Sequence, residues 1–178
     1  FGILLVDDEP AWLRSVSLTL ERSAGITNIR SCSDSRQAME ILSGGGFGLV
    51  LLDLTMPHLS GEELLTLIAE QHPEITCIVI SGLNQVETAV NCIKKGAFDY
   101  FVKTVEEDRL VGGVLRAIRL LELERENREM HSRLLSGGLL ERQHAEDQGH
   151  DQNATDARAY DGTSAGTGEN GWHETLGA

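Results

Sequence analysis

Asp53 follows an apolar run, Gly48-Leu49-Val50-Leu51-Leu52, and Asp7-Asp8-Glu9 follows a second one, Ile3-Leu4-Leu5-Val6. Runs of this character suit strands buried on both faces. Parallel strands that end at one edge of a sheet deliver their terminal side chains to a common crevice. Carboxylates gathered there repel one another, and a cation that joins them relieves the repulsion. An all-oxygen set suits Mg²⁺, which keeps several waters and accepts phosphate oxygens as further ligands. Asp7, Asp8 and Asp53 therefore point to an acidic Mg²⁺ pocket suited to phosphoryl chemistry. Ser81 follows the apolar run 75–80, and Lys103 follows 100–102. A hydroxyl donor and an ammonium group are thus expected at the same edge, where both can contact a phosphoryl oxygen.

The elements that must position these groups alternate. Strands are predicted at 3–6, 28–32, 49–52, 75–80 and 100–102. Helices are predicted at 11–22, 35–42, 61–71 and 85–95, with a long fifth helix from about Glu106. Pro10 suits a helix start, Gly25 and Gly96 suit helix ends, and His72-Pro73 stops the third helix. Near-continuous apolar strands alternating with amphipathic helices imply an α/β fold: a flavodoxin-like, doubly wound, five-stranded parallel sheet.

The fifth helix outlasts that domain. Leu110, Val114, Ile118 and Leu121 can pack on the sheet. Beyond them Leu120, Leu123, Asn127, Met130 and Leu134 recur at heptad spacing, with an inner Asn of the kind that sets register in two-stranded coils. Glu124–Arg128 and Glu129–Arg133 can pair along the helix. The expected organisation is a domain at 1–121, a helical extension and possible dimer coil at 122–136, and a disordered tail at 137–178. The tail is rich in Gly, Asp, Thr, His and Gln and cannot bury enough surface to offset its ordering entropy. Gly162 to Gly171 lacks the Gly-Lys-Ser/Thr of a phosphate loop. His144, His150 and His173 are too irregularly spaced for a metal site.

Composition narrows the partners. With 178 residues, 40% hydrophobic, there is material for one core plus an appendage. The net charge of −13 argues against nucleic acid or an anionic membrane as a direct partner. Cys32, Cys77 and Cys92 are odd in number and lack ligand spacing, which favours reduced thiols in a cytoplasmic protein. No stretch of about 18 apolar residues spans a membrane. The chain opens on Phe1 in place of Met, so a few preceding residues are expected.

Asp7-Asp8, Asp53, Ser81-Gly82 and Lys103, each closing its own strand, resemble the receiver domain of two-component response regulators. The similarity covers about 1 to 121. It extends to Leu54-Thr55-Met56-Pro57 with Gly61 beyond, and to Lys94-Lys95-Gly96-Ala97-Phe98-Asp99-Tyr100. The resemblance implies a phosphorylation-driven switch that does not turn over substrate. Asp53 would accept a phosphoryl group from a sensor histidine kinase. Asp7, Asp8, Asp53 and the Thr55 carbonyl would hold Mg²⁺, while Ser81 and Lys103 would contact the phosphoryl group. Tyr100 would be the switch aromatic that follows Ser81. One departure stands out: the family usually has proline after the lysine, whereas here Thr104 follows Lys103. A non-proline cis bond costs about 3 kcal/mol, so a trans bond or a strained loop is expected.

Residues Val114 to Asn127 are similar to the linker helix of sigma-54-dependent activators, which suggests the receiver part of a transcriptional regulator. No ATPase motif or helix-turn-helix follows. The expectation is a truncated activator, or a stand-alone receiver, that forms a homodimer. Blander roles are a surface lysine at 103, a strand-end cap at Ser81, a helix cap at Asp7 and plain core packing at Tyr100. Two other functions compete. A Mg²⁺-dependent phosphohydrolase of the haloacid dehalogenase type needs an acid two residues after its nucleophile, where this chain has Thr55. A degenerate receiver used only for docking would not need the intact acidic set.

Overall fold

The computed structural model describes the backbone of residues 1–159 and the side chains of residues 1–134. Five strands and five helices alternate: β1 (Gly2–Val6), α1 (Pro10–Ala24), β2 (Ile29–Cys32), α2 (Ser35–Ser43), β3 (Phe47–Leu52), α3 (Gly61–Gln71), β4 (Thr76–Ser81), α4 (Val86–Lys94), β5 (Asp99–Val102) and α5 (Glu107–Ala159). The strands form one parallel sheet in the order β2-β1-β3-β4-β5. The chain thus winds outward from β1 to β2, then crosses back past β1 to β3, and the reversal opens a crevice at the carboxyl ends of β1 and β3. The expected doubly wound fold is present, and element ends up to the start of α5 lie within two residues of expectation.

Strand alternation sorts the core into two layers. Ile3, Leu5, Leu49, Leu51, Ile78, Ile80 and Phe101 face α1 and α5, packing on Leu13, Val16, Leu20, Leu110, Val114, Ala117 and Leu121. Leu4, Val6, Val50, Leu52, Cys77 and Val79 face α2, α3 and α4, packing on Ala38, Leu42, Leu64, Leu65, Ile68 and Cys92. Ile118 is partly buried against the first layer, as its helical spacing implied. All three cysteines are buried free thiols, and burial pushes the Cys77 thiol up to about 12. In α4 only Cys92 is buried, while Val86, Val90 and Ile93 are exposed.

Local chemistry sets the ends. Pro10 occupies the first turn of α1 and Gly25 closes it at φ 67°, a left-handed cap that glycine adopts without a Cβ penalty. Ser60 caps α3: its hydroxyl accepts from the Glu63 N–H, and the Glu63 carboxylate accepts from the Ser60 N–H, a reciprocal box. Gly61 is required by proximity. A Cβ there would sit 2.0 Å from the Asp53 carbonyl oxygen and 2.6 Å from Leu54 Cα. The start of α3 therefore lies directly against Asp53 and Leu54, the residues that follow β3.

The chain divides into compact units at 1–126 and 127–178. The backbone of α5 is helical over 137–159, where composition led us to expect part of a tail. Residues 160–178, the Gly162 to Gly171 segment and His173 among them, lie outside the described residues, as do the side chains of His144 and His150. Among the described residues, no helix is long and apolar enough to cross a membrane.

Gly61→Ala should lower the free energy of unfolding by about 1–3 kcal/mol in a urea titration, because the added methyl meets backbone that cannot yield. Gly112→Ala in α5 meets only the end of Arg116, at 3.8 Å. It should instead raise stability by roughly 0.5–1 kcal/mol through helix propensity.

Candidate functional site: an acidic pocket at the carboxyl edge of the sheet

Register carries the acids to one place. Val6 pairs with Leu52 across β1 and β3. The next residues continue the ladder: the Asp53 N–H donates to the Val6 carbonyl at 2.9 Å, and the Asp7 N–H donates to that of Cys32 at 3.1 Å. Ser81 pairs with Val102 across β4 and β5, and the Lys103 N–H donates to the Ser81 carbonyl at 2.8 Å. Asp7, Asp53, Ser81 and Lys103 thus stand at the same edge of their strands. Asp7 and Ser81 are 0% exposed and Asp53 is 2%.

One carboxylate oxygen each from Asp7, Asp8 and Asp53 lies within 4.8 Å of the others. Asp8 is the most exposed of the three. Among the described residues, Asp53 Oδ1 is buried with no hydrogen-bond partner, and Asp7 Oδ2 has the ion pair with Lys103 at 2.8 Å alone. Unsatisfied buried carboxylate oxygens are costly. Their convergence, with oxygen as the only donor type, fits a hard divalent cation such as Mg²⁺. Thr55 lies in the loop two residues past Asp53.

Lys103 supplies the compensating charge. Its Nζ lies 2.8 Å from Asp7 Oδ2, 3.0 Å from Glu9 Oε1 and 3.5 Å from Asp53 Oδ2, and its side chain is 15% exposed. Burial pulls the ammonium pKa down, but the bonds to Asp7 and Glu9 and the charge of Asp53 outweigh it, and the net direction is up. Nζ also sits 5.1 Å from the centroid of the Trp12 ring, in cation–π range. Lys103 is therefore no solvated surface lysine. The Lys103–Thr104 bond is trans.

Asp7 forms a local turn of its own. Its Oδ1 accepts from the Glu9 N–H at 2.8 Å, while Glu9 is the residue at the N-cap of α1. Asp7 therefore does not cap α1. Burial raises the Asp7 pKa, against the bonds from Lys103 and the Glu9 N–H that lower it.

Ser81 and Tyr100 meet on Leu83. The Ser81 hydroxyl oxygen accepts from the Leu83 N–H at 3.2 Å, and the Tyr100 hydroxyl donates to the Leu83 carbonyl at 2.6 Å. The ring of Tyr100 packs against the second core layer. On the other side Asp99 accepts from the Tyr100 N–H at 2.8 Å and pairs with Arg116 of α5 at 3.1 Å. Glu9 was visible in sequence only as a third acid after Asp7-Asp8. Trp12 and the Leu83 backbone carried no signal, because their roles depend on contacts across the fold.

A 2-1-3-4-5 sheet with acids and a lysine at its carboxyl edge belongs to the flavodoxin-like class of α/β proteins. Within that class, the family model of the response regulator receiver domain matches residues 3–114, and the chain belongs to this family. It is 38% identical over 130 residues to the nitrogen assimilation regulatory protein NtrX of Azorhizobium caulinodans, covering 72% of this chain and 28% of that protein. Against the response regulator protein PilR of Pseudomonas aeruginosa it is 35% identical, covering 74% and 29%. The chain thus spans under a third of the length of these relatives. Among solved structures, the receiver domain of a putative Luxo repressor protein from Vibrio parahaemolyticus superposes with a TM-score of 0.65 at 27% identity, covering 70% of this chain and 94% of that one. NtrX from Brucella abortus superposes at 0.64 with 33% identity, covering 72% and 28%.

The folded state holds the Asp7 proton more tightly than the unfolded chain does, so stability falls as pH rises from 3.8 into the raised range. Asp7→Asn should therefore raise the melting temperature at pH 7. That gain should shrink as pH falls through 3.8, below which both states of the wild type bind the proton. Calorimetry over pH 3–8 checks this, and a gain that grows in acid would contradict it.

Proposed function

We propose that this chain is a phosphorylation-driven switch of two-component signalling, with Asp53 as the phosphoacceptor. The observation that carries the reading is the meeting of a buried, partner-poor Asp53 with Lys103 and the Asp7–Asp8 pair at one strand edge. A carboxylate oxygen of Asp53 attacks the phosphorus of a phosphohistidine on a sensor histidine kinase. The P–O bond forms as the P–N bond breaks, and the electron pair leaves with the imidazole. Asp7, Asp8, Asp53 and the Thr55 carbonyl would hold Mg²⁺, which when bound neutralises charge on the phosphoryl oxygens and the carboxylates. Lys103 donates to a phosphoryl oxygen and offsets the charge gained on Asp53.

The switch follows from the bonds on Leu83. Ser81 turns its hydroxyl to donate to the phosphoryl group, which competes with its bond to the Leu83 N–H. The Tyr100 hydroxyl holds the Leu83 carbonyl, so displacement of that loop is felt at Tyr100. Each neutral bond is worth only about 0.5–1.5 kcal/mol. A phosphoryl group is enough to bias a pair of states separated by so little.

The output in this reading is a homodimer of a transcriptional regulator's receiver part in the cytoplasm, without direct nucleic-acid contact by this chain. Residues 1–121 are the switch, 122–136 the helical extension that pairs, and 137–178 a tail. Leu120, Leu123, Met130 and Leu134 are 40%, 46%, 59% and 74% exposed in the single chain, which supports a second copy as their cover. The competing phosphohydrolase reading lacks the acid it needs at position 55.

Incubation with Mg²⁺ and acetyl phosphate should add one phosphoryl group per chain by intact mass, and Asp53→Asn or EDTA should abolish it. Multiple turnovers of a small phosphoester would support the hydrolase instead. Gel filtration with and without beryllofluoride should show a shift toward dimer in the loaded state, whereas a monomer in both states would defeat the dimer output.

A further inference from the structure

Two residues touch Lys103 without belonging to the proposed phosphoryl chemistry. Glu9 Oε1 lies 3.0 Å from Nζ, and the Trp12 ring centroid lies 5.1 Å from it. Both sit at the start of α1, Glu9 as its N-cap residue. The other partners of the ammonium are Asp7 Oδ2 and Asp53 Oδ2. The lysine therefore leans on two of the three carboxylates that can offer oxygens to a cation. A divalent ion that takes those carboxylates removes two partners from the ammonium and confronts it with a like charge. Glu9 and Trp12 lie outside the trio, so both remain available as an acid and a π face.

We infer that Glu9 and Trp12 form a berth for Lys103: they are positioning residues that receive its ammonium group when Mg²⁺ takes Asp7 and Asp53, and keep it at the pocket rim for an incoming phosphoryl group. The inference rests on the Mg²⁺ reading of the pocket given above. Glu9 acts through the lysine and not as a ligand or a distant negative charge. A lysine without this berth competes with the cation for Asp7, so binding of the two becomes antagonistic.

A double-mutant cycle on the full chain tests this, with Mg²⁺ affinity measured by isothermal titration calorimetry. Glu9→Gln should weaken Mg²⁺ binding about two- to tenfold, the usual size of coupling between touching side chains. In a Lys103→Met background the same change should cost less than about twofold, since no ammonium needs the berth. Trp12→Leu should likewise weaken binding only where Lys103 is present. If Lys103→Met does not fold, Lys103→Gln serves as the lysine-free background. Tryptophan emission gives a second readout in a Trp172→Phe background, where Trp12 is the one remaining indole. In Mg²⁺-saturated chains that emission should respond to Lys103→Met when Glu9 is present and not in Glu9→Gln. An equal cost of Glu9→Gln with and without the lysine, or no cost in either, overturns the berth while leaving the metal site standing. A wild-type chain that binds no Mg²⁺ overturns the metal reading and the berth together.

Discussion

Negative charge packed into a nearly dry strand edge is the constraint to which the surrounding structure answers. Asp7 and Asp53 are almost fully buried, with Asp8 close by. Left alone, such carboxylates would repel one another across a poorly solvated edge. The fold opposes this with one ammonium group, Lys103, which contacts Asp7, Glu9 and Asp53. Compensation is incomplete: Asp53 Oδ1 has no hydrogen-bond partner among the described residues, and the Asp7 pKa is raised by its burial. An oxygen-lined site short of positive charge has the chemistry that suits a hard divalent cation.

The rest of the molecule holds this arrangement in place. Both faces of the sheet are covered, so the strands are fixed in register and a shift of one residue would send every core side chain to the wrong layer. The start of α3 is pressed onto the end of β3 at Gly61, and the reciprocal Ser60–Glu63 cap keeps it there. Asp53 is thereby held from the backbone side as well as by its ladder bond to Val6. The opposite treatment is given to α4, which buries only Cys92 and leaves Val86, Val90 and Ile93 in solvent. Buried acids thus stand beside a lightly packed helix, and elements with few buried apolar contacts open at the lowest free-energy cost.

Leu83 connects the two regimes. Its N–H is bonded to the buried Ser81 and its carbonyl to Tyr100, whose backbone is in turn tied through Asp99 to Arg116 of α5. A change at the pocket therefore has a continuous path of hydrogen bonds to β5 and α5. The neutral bonds in that path are each worth only about 0.5–1.5 kcal/mol.

Much of this was legible in the chain itself. Four apolar runs, closed by Asp7, Asp53, Ser81 and Lys103, together with the mixed run 28–32, determined a parallel sheet and the edge where its polar residues gather, because strand period and burial are written in residue order. Pro10, Gly25 and Gly96 marked helix ends through backbone preferences that act locally. The tertiary structure alone decided which neighbours those groups met. Glu9 and Trp12 reach Lys103 from far along the chain, the Leu83 backbone joins Ser81 to Tyr100, and Gly61 is needed only because two elements nearly touch. Such contacts depend on distances between elements, and a linear pattern of apolar and polar residues records which face a side chain takes but not what stands opposite it.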